Sequence, residues 1–322
     1  MLKHLSPSSL ALWEKNKDEF YLRYMTDAPK TPSTEPYLIV GSSFDAYVKA
    51  ALFEACFGKI DPSYEFEAIF ESQVVPEGRD FGLKAGKYIF DCYKQSGSYD
   101  ELLIELQESR EPPRFEFTAA GEICGVPLTG KPDCKYIHKG GASVILDWKV
   151  TGFCSNYGSS PYKGFKRVRD SWSERETKHS RIHDRAHKDY VPKDHFGLEI
   201  SSSYLEDTCP DWADQLAIYS WTLGEEVGSE NTVMRIDQIC SKARKDAYPL
   251  LRVANHVALI SRDWQQRLLK RLIACWNTVT SGEIENSDVL DEVAKSYMTT
   301  DDMKLWVHSI KAKKTFSIRD RG

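Results

Sequence analysis

The sequence predicts a single α/β domain with a helical N-terminal region, a central group of strands and a basic insertion. Residues 1–110 show helical periodicity, whereas residues 111–154 alternate with the two-residue period of strands. Residues 155–208 are polar and rich in Lys, Arg and His, so we interpret them as an insertion into the domain. Residues 209–322 add helices and two more strands. The 322 residues, 41% of them hydrophobic, suffice for one large core.

The composition is that of an ordinary soluble protein, with 28% charged residues and a net charge of −5. This mild acidity counts little against a nucleic-acid partner, because phosphate binding depends on the local field. The chain shows no secretory signal and no apolar window long enough for a membrane helix, so we expect a cytoplasmic protein. Its eight cysteines are scattered without a C-x-x-C pair, which predicts neither a zinc ribbon nor an iron–sulfur cluster.

Helices are predicted along the N-terminal region. Ser6 and Pro7 are typical of a helix start, and the helical pattern that follows them continues to Met25. The stretch from Pro29 to Pro36 ends this helix. Further helices are predicted at 42–57, from Pro62 through Phe70, at 83–93 and at 102–106.

Strands are predicted at 114–119, 122–128, 130–138 and 143–151. The turn at Lys139-Gly140-Gly141 would join the last two into a hairpin. The last strand is nearly continuously apolar up to Asp147, which is typical of a central strand buried on both faces. The C-terminal region is predicted to contain a helix at 211–223, strands at 232–240 and 248–257, and a helix from Ser261 to Gly282.

Three charged residues lie on the two strands of this hairpin. Asp147 and Lys149 are two positions apart and share a face, which Asp133 can reach from the other strand. Such carboxylates suit a hard divalent cation, while the lysine can orient or deprotonate water or stabilise the charge on a phosphate. The alternative is an exposed Asp–Lys pair on a surface hairpin, but a charge inside a buried strand is costly without a partner.

The segments GKPD and ILDWKV resemble the P-D-(D/E)-x-K nuclease superfamily, with Asp133, Asp147 and Lys149 at its signature positions. LSPSSLALWEKNKDEFYLRYM resembles the N-terminal helix pair of the RecB-like branch, and GSSFDAY resembles its Gly-x-x-x-His motif. DQLAIY is similar to the Gln-x-x-x-Tyr helix of this branch, through Gln215 and Tyr219. SRDWQQRLLKRLIACWNTVTSGEI is similar to its C-terminal helix, so the resemblance covers most of the chain in the expected order.

The resemblance implies a restriction-endonuclease-like central mixed sheet flanked by helices, and a nuclease that depends on Mg²⁺ or Mn²⁺. It implies Asp133, Asp147 and the backbone carbonyl of Trp148 as metal ligands. Asp45 stands in place of the family's histidine, so we expect it to bind metal as well, with an exposed helix residue as the alternative. No iron–sulfur cluster is expected, because Asn16-Lys17 stand where the members with such a cluster have a Cys, and because their C-terminal cysteine group is missing here.

The resemblance also implies catalytic support from Gln215 and Tyr219, which would hold the lysine or the DNA backbone near the scissile phosphate. The two residues lie one helical turn apart and share a face. An amphipathic core helix with an incidental Gln is the alternative. Glu116 could add a further carboxylate or be a solvent-facing strand residue.

The insertion carries the predicted nucleic-acid contacts, interleaved with aromatic residues such as Tyr162 that can stack on unpaired bases. We expect it to form an arch or flap over the site, with a solvated loop as the alternative. His179, His183 and His187 would share one face of a helix and permit a zinc site, whereas a basic solvated helix is the alternative reading. The predicted phosphate-binding residues are Lys163, Lys166, Arg167, Arg169, Arg181 and Arg185.

The predicted function is that of a bacterial or phage-encoded, metal-dependent deoxyribonuclease that hydrolyses DNA phosphodiester bonds, with an exonuclease in recombination, repair or phage DNA processing as the first choice. No G-x-x-x-x-G-K-[ST] phosphate loop is present in the sequence, so unwinding would need a helicase or another recombination partner, such as a single-strand annealing protein. The oligomeric state stays open. The alternatives are a structure-specific or CRISPR-adaptation-type endonuclease, and a DNA-binding module without activity.

Overall fold

A mixed β-sheet forms the centre of the computed structural model, which describes residues 2–26, 35–154, 161–169, 182–240 and 252–280. The side chains at positions 169, 182 and 183 are not described. The predicted contact residue Arg181, the first member of the histidine series, His179, and the chain after residue 280 lie outside the described part. None of the described helices is both long and apolar enough to span a membrane.

Eleven strands and eight helices are described. The strands are β1 Arg114–Phe115, β2 Ala119–Ile123, β3 Val126–Gly130, β4 Cys134–Ile137, β5 Ser143–Val150, β6 Phe165–Arg169, β7 Ile182–Ala186, β8 Pro192–His195, β9 Leu198–Ser201, β10 Thr232–Ile239 and β11 Arg252–Ala258. The helices are α1 Pro7–Lys15, α2 Lys17–Phe20, α3 Pro36–Phe57, α4 Phe66–Gln73, α5 Arg79–Gln95, α6 Ser98–Gln107, α7 Pro210–Thr222 and α8 Arg262–Thr280.

Seven strands form the central sheet in the order β1-β4-β5-β10-β11-β6-β7. The pair β5–β10 is parallel, while the other neighbouring pairs are antiparallel, so the sheet is mixed as expected. The predicted hairpin of β4 and β5 is confirmed. All eight residues of β10 are buried, as are the first six of β5, because helices cover both faces of this part of the sheet.

The two faces of the sheet carry separate hydrophobic cores. On one face, Ile145 and Met234 pack with Leu216 of α7 and Leu268 of α8. On the other face, Val144 and Val233 pack with residues of α3, α5 and α6. Because side chains alternate across a strand, each residue of β5 is assigned by its parity to one core or the other.

Helix α3 is held close to α5 by a glycine. A Cβ at Gly86 would lie 2.5 Å from the Cβ of Ser43 and 2.8 Å from its backbone carbonyl carbon. Only glycine therefore permits this approach without a shift of one helix. The contact fixes the part of α3 that carries Asp45, two residues further on.

The predicted first helix is interrupted. Asn16 is extended, with φ −154° and ψ 94°, and its side chain accepts the N–H of Glu19 to cap a second helix. Polar Asn favours such capping positions over helix interiors because its side chain competes for backbone groups. The expectation of one continuous helix to Met25 was wrong, whereas a helix pair agrees with the structure.

Two predicted strands are also shorter than expected. The strand predicted at 114–119 breaks at Glu116, which has a φ of 44° in the left-handed region and leaves the extended conformation. The strand predicted at 130–138 is split by residues 131–133, where Pro132 offers no N–H to a ladder. Both breaks lie beside the carboxylates described below.

The insertion does not stand apart from the sheet. Strands β6 and β7 extend the central sheet at the β11 edge, and β8–β9 form a separate hairpin. The helix considered for the histidine series is wrong for residues 182–186, which form β7. A strand has a two-residue period, so the spacing of four no longer implies a shared helical face.

Strand β10 carries a buried ionic network that joins the sheet to α5 and α6. Asp237, which is fully buried, accepts hydrogen bonds from Arg235 Nε at 3.0 Å, Tyr93 Oη at 2.5 Å and Asn255 Nδ2 at 2.7 Å. Arg235 also donates to Glu105 at 3.0 Å. The charges of Arg235 and Asp237 therefore compensate each other at the centre of the sheet.

Asp237→Asn should destabilise the protein by about 3 kcal/mol or more, because it leaves the buried guanidinium of Arg235 without its principal counter-charge. Urea unfolding measures the loss. Asp263→Asn is the control, since the side chain of Asp263 is 74% exposed and pairs only at the surface; it should cost less than about 1 kcal/mol. Equal losses for the two variants would contradict a central role for the network.

Candidate active site

An open cleft of about 430 Å³ lies at the end of β5, between α3 and α7. All seven residues predicted from the sequence to bind metal or support catalysis line it, together with Lys49, Gln73 and Glu116. The seven are Asp45, Asp133, Asp147, Trp148, Lys149, Gln215 and Tyr219.

Strand β5 supplies the first carboxylate and ammonium. Asp147 and Lys149 have the same parity as Ile145, so they point to the α7 side of the sheet. The side chain of Asp147 is 4% exposed, and its Oδ2 lies 2.5 Å from Lys149 Nζ. That buried oxygen nevertheless has no partner with acceptable hydrogen-bond geometry. The pair is therefore close but leaves the Oδ2 incompletely satisfied.

Gln215 of α7 holds this pair in place. Its Oε1 accepts a hydrogen bond from Lys149 Nζ at 2.9 Å, and its Nε2 donates to Asp147 Oδ1 at 2.9 Å. The same Nε2 donates to Tyr219 Oη at 3.0 Å. Tyr219 in turn packs on Gly130, where a Cβ would lie only 2.6 Å from the ring. The expected pairing of Gln215 and Tyr219 is present, and it acts on both charged groups of β5.

Asp133 lies in the break between β3 and β4, and it links two parts of the cleft. Its Oδ2 accepts the backbone N–H of Trp148 at 3.0 Å, which ties it to β5. Its Oδ1 accepts a hydrogen bond from Lys49 at 3.0 Å. Asp133 therefore adjoins Asp147 on one side and a second charged group on the other.

Lys49 was not identified from the sequence. It lies on α3, its side chain is 2% exposed, and its Nζ donates to Asp45 at 2.6 Å and to Glu116 at 2.8 Å in addition to Asp133. One signal was available, because Lys49 follows Asp45 by one helical turn and such pairs meet on a helix surface. Asp45 is thus not an exposed helix residue; its Oδ2 is already engaged by Lys49.

Glu116 belongs to the cleft rather than to a solvent-facing strand. Its left-handed backbone directs the carboxylate to Lys49 and to Lys131. Gln73, the last residue of α4, donates from Nε2 to Glu116 and to Asp45 at 3.0 Å. Nothing in the sequence marks Gln73, since it is one glutamine at the end of a short amphipathic helix.

Two carboxyl groups of the cleft, those of Asp45 and Asp147, have raised pKa values. Burial, together with the nearby charge of Asp133, raises the pKa of Asp45 to about 7, although Lys49 opposes the rise. Burial also raises the pKa of Asp147 to about 6; Lys149 opposes this rise and Asp133 adds to it. A further positive charge near these two carboxyl groups would lower their pKa values again.

The two lysines remain charged. Burial alone would lower the pKa of Lys149, but Asp147 and Asp133 more than offset it and raise the pKa above its ordinary value. Burial likewise opposes the pKa shift of Lys49, and the three surrounding carboxylates raise that pKa well above its ordinary value. A protonated Lys149 is suited to stabilising negative charge and not to accepting a proton.

The donor chemistry of Asp133 and Asp147 fits a hard divalent cation. Carboxylate oxygens are the preferred donors, and Mg²⁺ commonly uses one or two of them while keeping several waters. Asp147 Oδ2 is paired with Lys149 but has no hydrogen bond of acceptable geometry, and the pKa of Asp147 is raised, so this carboxylate suits a further positive charge. In the described part of the chain, no group of three or more His, Cys, Asp or Glu residues is arranged to hold a metal ion.

The predicted nucleic-acid contacts fall on different sides of the sheet. Lys166 pairs in register with Arg185 of β7 and with Ala254 of β11. Arg167 has the opposite parity, is 12% exposed, donates to the Ser96 carbonyl at 2.6 Å and pairs with Glu101. Its prediction as a DNA contact disagrees with this position, because the guanidinium is used to attach β6 to α6.

Only some side chains of the remaining predicted insertion residues are described. Lys163 precedes β6, and its side chain is half exposed. Arg169 ends β6, and its side chain is not described. Of the three histidines, the side chain of His187 alone is described; its Nδ1 lies 3.7 Å from Asp189.

No family model matches the chain, and no curated protein matches it. Among solved structures, one titled "Crystal structure of SSO0001" is similar at 10% sequence identity, over 83% of this chain and 85% of that chain, with a TM-score of 0.24. A TM-score this low supports no conclusion on fold or function.

The raised pKa values predict a pH-dependent stability difference in chelator-treated protein. A carboxyl group with a raised pKa binds its proton more tightly in the folded state, so its contribution to the free energy of unfolding falls as pH rises from about 4 to 7. Asp45→Asn removes this effect. Relative to wild type, the variant should gain stability over that window, by at most about 1.4 kcal/mol per pH unit.

Urea unfolding between pH 5 and pH 8 provides the measurement. The comparison must be a difference, because burial lowers the pKa of His256 to about 4 and changes the stability of both proteins in the opposite direction. Asp91→Asn is the control, since its exposed carboxylate pairs with Lys87 at the surface. If the free energies of unfolding of Asp45→Asn and wild type differ by the same amount at every pH, the pKa of Asp45 is not raised.

Proposed function

We propose that the protein is a Mg²⁺- or Mn²⁺-dependent DNA nuclease that hydrolyses phosphodiester bonds in this cleft. The observation that carries the proposal is the contact set of Gln215, which binds Lys149 and Asp147 together at 2.9 Å each. Asp133 adjoins them through the backbone of Trp148. Two carboxylates and a lysine with a dedicated positioning residue, in an open cleft, suit attack of water on a phosphate.

The residues have separate tasks in this chemistry. Asp133, Asp147 and the carbonyl of Trp148 would hold the cation, which when bound polarises a phosphoryl oxygen and lowers the pKa of a coordinated water. Lys149, protonated, stabilises the negative charge that grows on the phosphate as water adds and the P–O bond to the leaving oxygen breaks. Gln215 keeps Lys149 directed at that position, and Tyr219 restrains Gln215.

The register of the sheet supports a path for the nucleic acid. Lys149, Gln238, Ala254, Lys166 and Arg185 are successive partners across five strands, so they share one face. With strands about 4.8 Å apart, the backbone of Lys166 lies about 14 Å and that of Arg185 about 19 Å from the backbone of Lys149. Gln238 and Ala254 are buried, so a phosphate backbone would have to pass above the side chains that cover them to meet both cations.

An aromatic side chain lies along the same path. Tyr162 is 51% exposed, and its ring centroid is 5.2 Å from that of Trp212 on α7. Its backbone N–H donates to Gln238, the residue between Lys149 and the outer strands. Aromatic rings interleaved with cations are typical of surfaces that bind unpaired nucleotides. Our first choice is an exonuclease, which works on DNA ends, with a role in recombination, repair or phage DNA processing.

Lys149→Met and Asp147→Asn should each lower DNA hydrolysis by about two to three orders of magnitude, because each removes charge that acts on the reacting phosphate. End-labelled linear, nicked and supercoiled circular DNA with Mn²⁺ would be the substrates. Lys139→Met, an exposed lysine paired with Glu108, should retain full activity. Equal activity of Lys149→Met and wild type would refute the assignment. Rapid cutting of the circle would favour the endonuclease alternative.

Replacing Lys166 and Arg185 together by Ala should reduce the slope of log affinity against log salt by about 1.8 for duplex DNA, because two phosphate contacts are lost. Fluorescence anisotropy with the inactive Asp147→Asn background measures binding without cleavage. The matched control replaces Lys59 and Lys139, two exposed lysines elsewhere, and should leave the slope unchanged. An unaltered slope for the first pair would remove this path from the proposal.

A further inference from the structure

Lys49 is an unusual residue for the interior of a metal-dependent site. Its ammonium is enclosed by three carboxylate oxygens, from Asp45 at 2.6 Å, Glu116 at 2.8 Å and Asp133 at 3.0 Å. These residues come from α3, from the break after β1 and from the break before β4. An ammonium group has three hydrogens to donate, and all three are used here.

The carboxylates around Lys49 have further hydrogen-bond donors besides its ammonium. Gln73 donates to Asp45 and to both oxygens of Glu116 at 3.0–3.1 Å. Lys131 pairs with Glu116 from the solvent side. Removing a buried ammonium from such a group would leave like charges facing one another in a poorly solvated space, which is costly.

The other side of the cleft differs. Asp147 Oδ2 is buried and has no well-formed hydrogen bond, and Lys149, its ion-pair partner, is 26% exposed. Asp133 is shared, with Oδ1 turned to Lys49 and Oδ2 turned to the backbone of β5. One half of the site is therefore closed by a buried internal cation, whereas the other half has a partly exposed lysine and a carboxylate oxygen without a well-formed hydrogen bond.

We propose that Lys49 is a built-in counter-ion that occupies the position between Asp45, Glu116 and Asp133, so that the cleft binds one divalent cation instead of two. Asp45 and Glu116 then serve as partners of Lys49 and not as metal ligands. This inference rests on the proposed function, since it concerns the cation that the nuclease would use. It assigns to Lys49 a positioning role, because its ammonium holds Asp133 for the cation on the Asp147 side.

Counting bound Mn²⁺ by calorimetry and by electron paramagnetic resonance tests the inference without any substrate. Wild type should bind one Mn²⁺ per chain. Lys49→Met, which keeps the length of the side chain and removes its charge, should bind two, because the three freed carboxylates form a second site. Lys131→Met is the matched control: it removes a lysine from the same Glu116, but an exposed one, and should still bind one ion.

The outcomes separate the two proposals. Wild type that binds no Mn²⁺ would overturn the metal-dependent function itself. Wild type that binds two ions would overturn the role of Lys49 while leaving a nuclease in place. If wild type and Lys49→Met each bind one ion with the same affinity, the proposed role of Lys49 is likewise overturned, and the nuclease proposal is unaffected.

A folding defect in Lys49→Met would not prevent the test. The variant should refold when Mn²⁺ is added and show a larger rise in melting temperature with Mn²⁺ than wild type does. If Lys49→Met does not fold even then, Lys49→Met/Asp45→Asn removes one negative charge together with the positive one. This double variant should bind a second ion through Glu116 and Asp133, and a single bound ion would overturn the inference.

Discussion

The parallel pairing of β5 with β10 is the constraint on which the rest of the structure depends. It places β5 between two strands and under helices on both faces, so every residue of the strand is assigned to one core or the other by parity. Asp147 and Lys149 then have to emerge on the α7 side, where Gln215 receives them. The same parity carries across β10, β11, β6 and β7, and it places Lys166 on the face of Lys149 while it turns Arg167 to the opposite face.

Charge balance is the second constraint, and it explains the irregular backbone of the site. Glu116 and Asp133 both lie where a predicted strand breaks, and both form an ion pair with Lys49 there. The left-handed φ of Glu116 is a conformational cost that non-glycine residues tolerate where the surroundings hold them. Here the surroundings include the buried ammonium of Lys49, and its ion pair with Glu116 offsets the conformational cost.

Part of the site could be predicted from the sequence. Asp147 and Lys149 stand out as charges in an apolar strand, whereas Gln215 and Tyr219 were identified through the resemblance to a family motif, because Gln215 contacts β5 from 66 and 68 positions away. Lys49 and Gln73 could not be recognised in either way, since neither lies in those motifs and their partners lie up to 84 positions away. The insertion was misjudged for a related reason: a polar, basic composition predicts a loop or a solvated helix, but edge strands tolerate the same composition.

The charges of the cleft also constrain how many cations it can accept. Four carboxylates, those of Asp45, Glu116, Asp133 and Asp147, face the ammonium groups of Lys49, Lys131 and Lys149. With all of them ionised, one negative charge is left over. A single divalent cation would reverse this to one positive charge, which a phosphodiester with its single negative charge would neutralise. A second divalent cation beside a protonated Lys49 would leave a large uncompensated positive charge in a partly buried space, which the low local dielectric penalises. Under the proposed function, the number of cations in the cleft would therefore depend on the charge of Lys49.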